Sequence, residues 1–71
     1  MMLLPNGDCW VYAKVNDPFS LKRRNQYGEV VDFKTSMLFN HIDYYLKVRF
    51  DDGEEEWYPE NHLEHSYIKM K

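Results

Sequence analysis

The segment Tyr44–Phe50 followed by Asp51-Asp52-Gly53 constrains the fold more than any other part of the chain. Leu46, Val48 and Phe50 alternate with Tyr45, Lys47 and Arg49, the period-two pattern of a strand with one face in a core and the other in solvent. Asp52-Gly53 supplies a tight turn, because glycine carries no Cβ penalty at positive φ and aspartate tolerates that region. The chain then returns along Glu54–Tyr58. Two registers satisfy this hairpin. A two-residue loop sets Val48 opposite Trp57 and puts Trp57 inside. A three-residue loop with a bulge at Gly53 sets Val48 opposite Glu56 and Leu46 opposite Tyr58, leaving Trp57 outside beside Lys47 and Arg49.

Other segments carry the same chemistry. Cys9–Val15 is rich in β-formers and bounded by Gly7-Asp8 and Asn16-Asp17-Pro18, so it reads as a first strand with Val11, Ala13 and Val15 on one face and Trp10, Tyr12 and Lys14 on the other. Gly28–Lys34 reads as a second strand, its leading glycine suited to a turn or to close approach of another backbone. Residues 16–27 and 35–43 read as loops; Met37-Leu38-Phe39 either extends the second strand or plugs one end of a barrel. Pro59–Leu63 predicts a single helical turn, since proline has a pre-set φ and no amide hydrogen to waste at its start, and His65–Met70 predicts a last short strand. The expectation is an all-β fold: a small five-stranded barrel with a helical turn before the last strand, closed around Val11, Leu46, Val48 and Leu63. Closure buries one apolar face of every strand and removes open edges.

Composition bounds what such a chain can do. Its 71 residues suit one domain over 1–71, with an ordered core of about residues 8–70. The single cysteine, Cys9, excludes an internal disulfide, and a small domain without one leans on an idealised fold, a metal or a partner. No stretch approaches the roughly 20 apolar residues of a membrane helix, and Met1-Met2-Leu3-Leu4 stops at Pro5, too short for a signal-peptide core. A cytoplasmic protein with no membrane contact, monomeric or weakly oligomeric, is expected. The net charge of −3 argues against bulk nucleic-acid binding, but the charge is uneven. Residues 1–35 carry five basic and four acidic side chains, with Lys22-Arg23-Arg24 bunched together; residues 36–71 carry four basic and eight acidic ones, bunched from Asp51 to Glu56.

The stretch from Tyr45 to Leu63, YLKVRFDDGEEEWYPENHL, resembles the second half of a Tudor-like or agenet-like domain of the SH3-like barrel superfamily: a hydrophobic strand ending in Phe-Asp-Asp-Gly, a polar strand, then a turn ending in Leu. Tyr27–Phe33 is similar to the second strand of these barrels and to the KOW-type barrels of ribosome and transcription proteins. The resemblance implies binding rather than catalysis. Tudor-like domains take methylated lysine or arginine in a cage of rings, where each cation–ring contact contributes about 0.5–2 kcal/mol. By position Phe50 would be one wall and Asp52 an acidic partner, with Trp10 or Tyr12 and Phe33 as further walls. Glu54 stands where caged members often have an aromatic residue.

The candidate sites follow. Trp10, Tyr12, Phe33, Tyr45, Phe50 and Trp57 with Asp52 and Glu54 form the leading set, a surface of rings and an acidic hairpin tip that takes a basic or lysine-containing protein segment. The alternative is KOW-like nucleic-acid or ribonucleoprotein contact through Lys22, Arg23, Arg24, Lys47 and Arg49, where adjacent cations suit phosphates and Tyr27 a stacked base. A third reading is a small accessory subunit whose rings are covered in a larger complex. His62-x-x-His65 has zinc-like spacing on a helix, but the helical turn ends near Leu63, so no metal is expected. The sequence has no nucleophile motif or phosphate-cradling glycine loop; no cofactor and no enzymatic activity are expected.

Overall fold

A computed structural model describes residues 1–69; Met70, expected at the end of the last strand, and Lys71 lie outside the described residues. The strands are β1 (Met2–Leu3), β2 (Cys9–Trp10), β3 (Tyr12–Val15), β4 (Tyr27–Leu38), β5 (His41–Arg49), β6 (Glu55–Pro59) and β7 (Leu63–Ser66), with a 3-10 turn over Glu60–His62 between the last two. The fold is all-β. Strands β3 to β7 form one antiparallel sheet in the order β6-β5-β4-β3-β7, and β1 pairs with β2 in a separate two-stranded ribbon. The sheet is not closed into a barrel: β6 and β7 are its two edges. Among the described residues, no helix is long and apolar enough to cross a membrane.

The core consists of Leu4, Trp10, Ala13, Val15, Val30, Leu46, Val48, Phe50, Tyr58 and Leu63. Burying a side chain such as Leu46 or Val48 contributes about 1.5–3 kcal/mol. Two features of this core differ from the sequence reading. Trp10 is inside, only 1% exposed, whereas strict alternation through Val11 puts it outside. The strand breaks at a bend at Val11, which shifts the phase so that Trp10 and Ala13 both face inward while Val11 is half-buried. Leu4, ahead of the expected core, is also buried. A turn over Pro5–Gly7 brings it there, closed by the Leu4 amide donating to the Asp8 carbonyl (2.8 Å) and by Gly7 at φ +93°.

The Asp51–Gly53 hairpin adopts the wider register. Val48 faces Glu56, Leu46 faces Tyr58 and Lys47 faces Trp57. The Gly53 amide donates to the Phe50 carbonyl (3.0 Å) and the Phe50 amide to the Glu54 carbonyl (2.9 Å). Tyr58 is therefore the buried ring of β6 and Trp57 the outer one.

The expected loop over 35–43 is not a loop. Strand β4 runs on to Leu38 and β5 begins at His41, joined by the two residues Phe39 (φ +51°) and Asn40 (φ +62°). Two positive φ angles in a two-residue connection match the twist of the flanking strands. A β-bulge between Val30 and Asp32 separates the two halves of the long hairpin. Gly28 at its base lies so close to β5 that a Cβ there would meet Val48 Cγ1 at 2.5 Å and the Arg49 carbonyl oxygen at 2.6 Å, the close approach that calls for glycine.

Candidate functional site

The two charged clusters of the sequence meet each other. Residues 16–26 fold over the β5–β6 hairpin, pinned at their base where the Val15 amide donates to the Gln26 carbonyl and the Asn25 amide to the Val15 carbonyl (2.9 Å each). This places Arg23, 4% exposed, among the acids of the hairpin tip. Its NH2 group donates to Asp52 Oδ2 (2.8 Å) and to Glu54 Oε2, its Nε to Glu56 Oε2 (3.1 Å), and its NH1 to Gln26 Oε1 (3.1 Å). The guanidinium carbon lies 4.2 Å from the ring centre of Phe50, and Phe50 meets Tyr58 edge-on with ring centres 6.3 Å apart. Tyr58 in turn donates its hydroxyl proton to Glu56 Oε2 (3.1 Å).

The electrostatics follow from this geometry. Bonds to Asp52 above all, and then to Glu54, hold the Arg23 guanidinium protonated well beyond its ordinary range. Asp52 titrates below the usual carboxylate range because it accepts the Glu54 amide and then Arg23; Glu54 does so because of Lys22 and then Arg23. Burial pushes the Tyr58 hydroxyl up.

This site holds a cation between a ring and carboxylates, and the cation belongs to the chain. Phe50, Asp52 and Glu54 of the leading set come together, but around Arg23. Phe33 is half-buried against the core. Tyr12 is half-buried on β3, opposite Glu29 on one side and Ser66 on the other. Trp10 is in the core, its indole stacked on His65 with ring centres 3.5 Å apart. These three rings build no open cage with Phe50. Tyr45 and Trp57 lie on the outer face of the sheet with Lys34 between them, its ammonium 4.5 Å from the Trp57 ring centre and 5.8 Å from that of Tyr45. Lys47 sits 5.3 Å from Trp57.

The basic set is likewise paired internally. Lys22 contacts Glu54 (3.2 Å), Lys47 and Arg49 both contact Glu55 (3.6 and 2.6 Å), and Arg23 is buried. Arg24 alone of the five makes no ion pair among the described residues. The carboxylate of Glu55 is held below its ordinary range, first by Arg49. Among the described residues, no group of three or more metal-ligating side chains converges.

A second surface was missed in the sequence. Strand β3 pairs with β4 only as far as Glu29, and β6 leaves β5 at Pro59, opposite Tyr45. Beyond these points, among the described residues, 35–38 and 41–44 pair only with each other. On the ribbon's inner face Phe33 faces Leu46, Thr35 faces Tyr44 and Met37 faces Ile42, which continues the core side of the sheet into solvent. Met37 is 69% exposed, Ile42 52% and Phe39 at the tip 92%. Where β6 turns away, an open groove of about 700 Å³ runs beside β5, lined by Trp10, Ile42, Tyr44, Pro59, Leu63 and the three histidines, with Asp43 and Glu60 among its polar groups.

Polar groups inside this groove are incompletely satisfied. Among the described residues the buried Trp10 Nε1 has no hydrogen-bond partner. His62 Nδ1 lies 3.5 Å from Asp17 Oδ2, close but without a hydrogen bond. His41 Nε2 lies 3.0 Å from Asp43 Oδ1 at the β5 edge. Burial, reinforced by Asp8, pushes the Glu60 carboxyl up. The signal for this surface was in the sequence as Met37-Leu38-Phe39, an apolar run next to a turn. What concealed it was the reading of that run as a loop.

Compared with protein-family models, curated proteins and solved structures, the chain gives no significant match in any of the three.

Proposed function

We propose that this chain is a non-catalytic protein-docking module, related to the SH3-like barrels, which engages its partner through the β4–β5 hairpin. The observation that carries this reading is Phe39. A bulky side chain at positive φ is unfavourable, and here it is 92% exposed, so it gives the fold nothing in return for the strain. Such outliers gather where a side chain is needed for recognition. The neighbouring Met37 and Ile42 extend one apolar surface from the tip back to the groove, and a two-stranded ribbon of this kind is marginal in water unless it is covered. The relation to SH3-like barrels draws support from the antiparallel pairing of β3 with β7 and from the 3-10 turn ahead of β7.

In this reading the partner offers a strand edge and apolar side chains. Binding of a basic segment at Phe50, Asp52 and Glu54 would require Arg23 to leave first. Nucleic-acid contact through residues 22–24, 47 and 49 would require four ion pairs or buried contacts to open.

A photo-crosslinking residue placed at Phe39, and in a parallel sample at Tyr67, tests the reading in native extract. Both positions are exposed. A defined protein adduct is expected from position 39, not from 67, and Ile42→Lys is expected to abolish it. Equal labelling from both positions, or none, would refute the hairpin as the docking surface.

A further inference from the structure

We propose that the partner strand at the β5 edge is a second copy of this chain, joined antiparallel across a two-fold axis at Ile42. The proposal rests on the hairpin being the docking surface and names what docks there.

Symmetry restricts how two copies of one edge can meet. Two identical antiparallel strands are related by an axis normal to the sheet, and because opposite residues share a face, the axis passes through a residue facing its own copy. The free stretch offers four centres. Centring on Asp43 sets two carboxylates face to face. Centring on Tyr44 runs the second strand from its Asp43 back to its Phe39 along Tyr45–Arg49, the whole stretch held by β6. Centring on His41 leaves the turn residues Asn40 and Phe39 to supply most of the pairs.

Centring on Ile42 keeps the paired strand within the free stretch, with only the turn residue Phe39 reaching the end of β6. Ile42 meets its copy on the inner, apolar face. His41 comes opposite the second copy's Asp43, and Asp43 opposite its His41, so each imidazole meets a carboxylate and the edge is complementary to itself in hydrogen-bonding groups. These two side chains are exposed on the outer face and already contact each other within one chain at 3.0 Å. Met37, which faces Ile42 within each hairpin, extends the shared apolar strip on both sides.

The same register accounts for the tip and the groove. Counting from the axis, the second copy's Phe39 reaches the level of Tyr45, where Pro59 ends β6 and the groove begins. The most exposed ring of each copy thereby lies against the groove of the other. Edge pairing is a hazard that sheets usually block with charge, proline or a covering segment, and the stretch His41–Tyr44 carries one carboxylate, no lysine or arginine, and no proline. On the other edge of the hairpin β1 contacts β4.

Sedimentation equilibrium of the full chain measures the dimer directly, and charge reversal tests the register. His41→Asp is expected to weaken dimerisation about tenfold, since two like-charged carboxylate pairs replace two imidazole–carboxylate contacts; adding Asp43→Lys to it is expected to restore most of the affinity. In a Cys9→Ser background, Ile42→Cys is expected to form an intermolecular disulfide on mild oxidation, because facing Cα atoms at such a centre lie about 4.5–5.5 Å apart. Tyr67→Cys, equally exposed, is expected not to. A chain that stays monomeric to its solubility limit, with no cross-link at position 42, overturns the second copy. If position 39 then still labels a different protein, the docking reading survives without it; if it labels nothing, both fail.

Discussion

The guanidinium carbon of Arg23 lies 4.2 Å from the ring centre of Phe50, and the same guanidinium donates to Asp52, Glu54 and Glu56. One side chain thus ties residues 16–26 to the β5–β6 hairpin and neutralises a tip that would otherwise repel itself. Arg23→Ala removes the ring contact and leaves three clustered carboxylates without their cation. A fall in the thermal midpoint of roughly 5–10 °C is expected. Arg23→Lys is expected to recover only part of it, because an ammonium cannot reproduce the planar fork. Equal midpoints for wild type and Arg23→Ala would show that the latch does not matter to folding.

Acid titration gives a second reading of the same cluster. Asp52, Glu54 and Glu55 titrate below their ordinary range in the folded chain, so the native state binds fewer protons than the unfolded chain on the acid side. Their stabilisation is complete above the ordinary carboxylate values of about 4 and is lost as pH falls through the depressed ones. Urea midpoints are expected to decline below about pH 4, and Asp52→Asn is expected to shallow that decline. A decline of unchanged slope in the variant would assign the acid sensitivity elsewhere.

Glu60 has the opposite sign. Burial raises its folded-state value, so the native state holds the proton more tightly and stability drops as pH rises from the ordinary carboxylate value through the raised one. Glu60→Gln is expected to increase stability at neutral pH and to leave it little changed well below pH 4. Chemical denaturation at pH 3 and pH 7 separates the two cases; loss of stability at pH 7 would contradict the burial argument.

Much of this fold was legible. The alternation in Tyr44–Phe50 and the Asp52-Gly53 turn marked β5 and β6, and Gly28 marked a close approach that the Val48 and Arg49 atoms now define. The hairpin register was not legible, because Trp57 and Tyr58 are adjacent rings of similar apolar content and only the three-dimensional turn chooses between them. Trp10 was misplaced because a single bend at Val11 reverses an alternation pattern without leaving a composition signal. Arg23 was hidden for another reason: a basic residue in a basic triplet reads as solvated, and its partners lie 29 to 33 positions away. The hairpin tip was hidden because Phe39 occupies a turn position that glycine or asparagine would ordinarily announce.

The burial of Trp10 can be checked by fluorescence. Trp10 is buried and Trp57 lies on the outer face. Trp57→Phe is expected to leave a blue-shifted emission that acrylamide quenches poorly, with little change in stability. Readily quenched residual emission would place Trp10 in solvent and contradict the core described above.

Gly28→Ala tests how rigid the base of the long hairpin is. The added Cβ would lie 2.6 Å from the Arg49 carbonyl oxygen and 2.5 Å from Val48 Cγ1. The valine can rotate, but the carbonyl belongs to the ladder between Arg49 and Glu29, so the strands must separate. A loss of roughly 1–3 kcal/mol or more is expected, read from the urea midpoint with the slope unchanged. The proposed docking surface lies at the other end of the hairpin and depends on these strands staying in register. Any surviving fold of this variant is therefore expected to dimerise less well than wild type in sedimentation, by more than its fraction unfolded accounts for. Dimerisation in proportion to the folded fraction would mean that the outer ribbon holds its shape independently of its base.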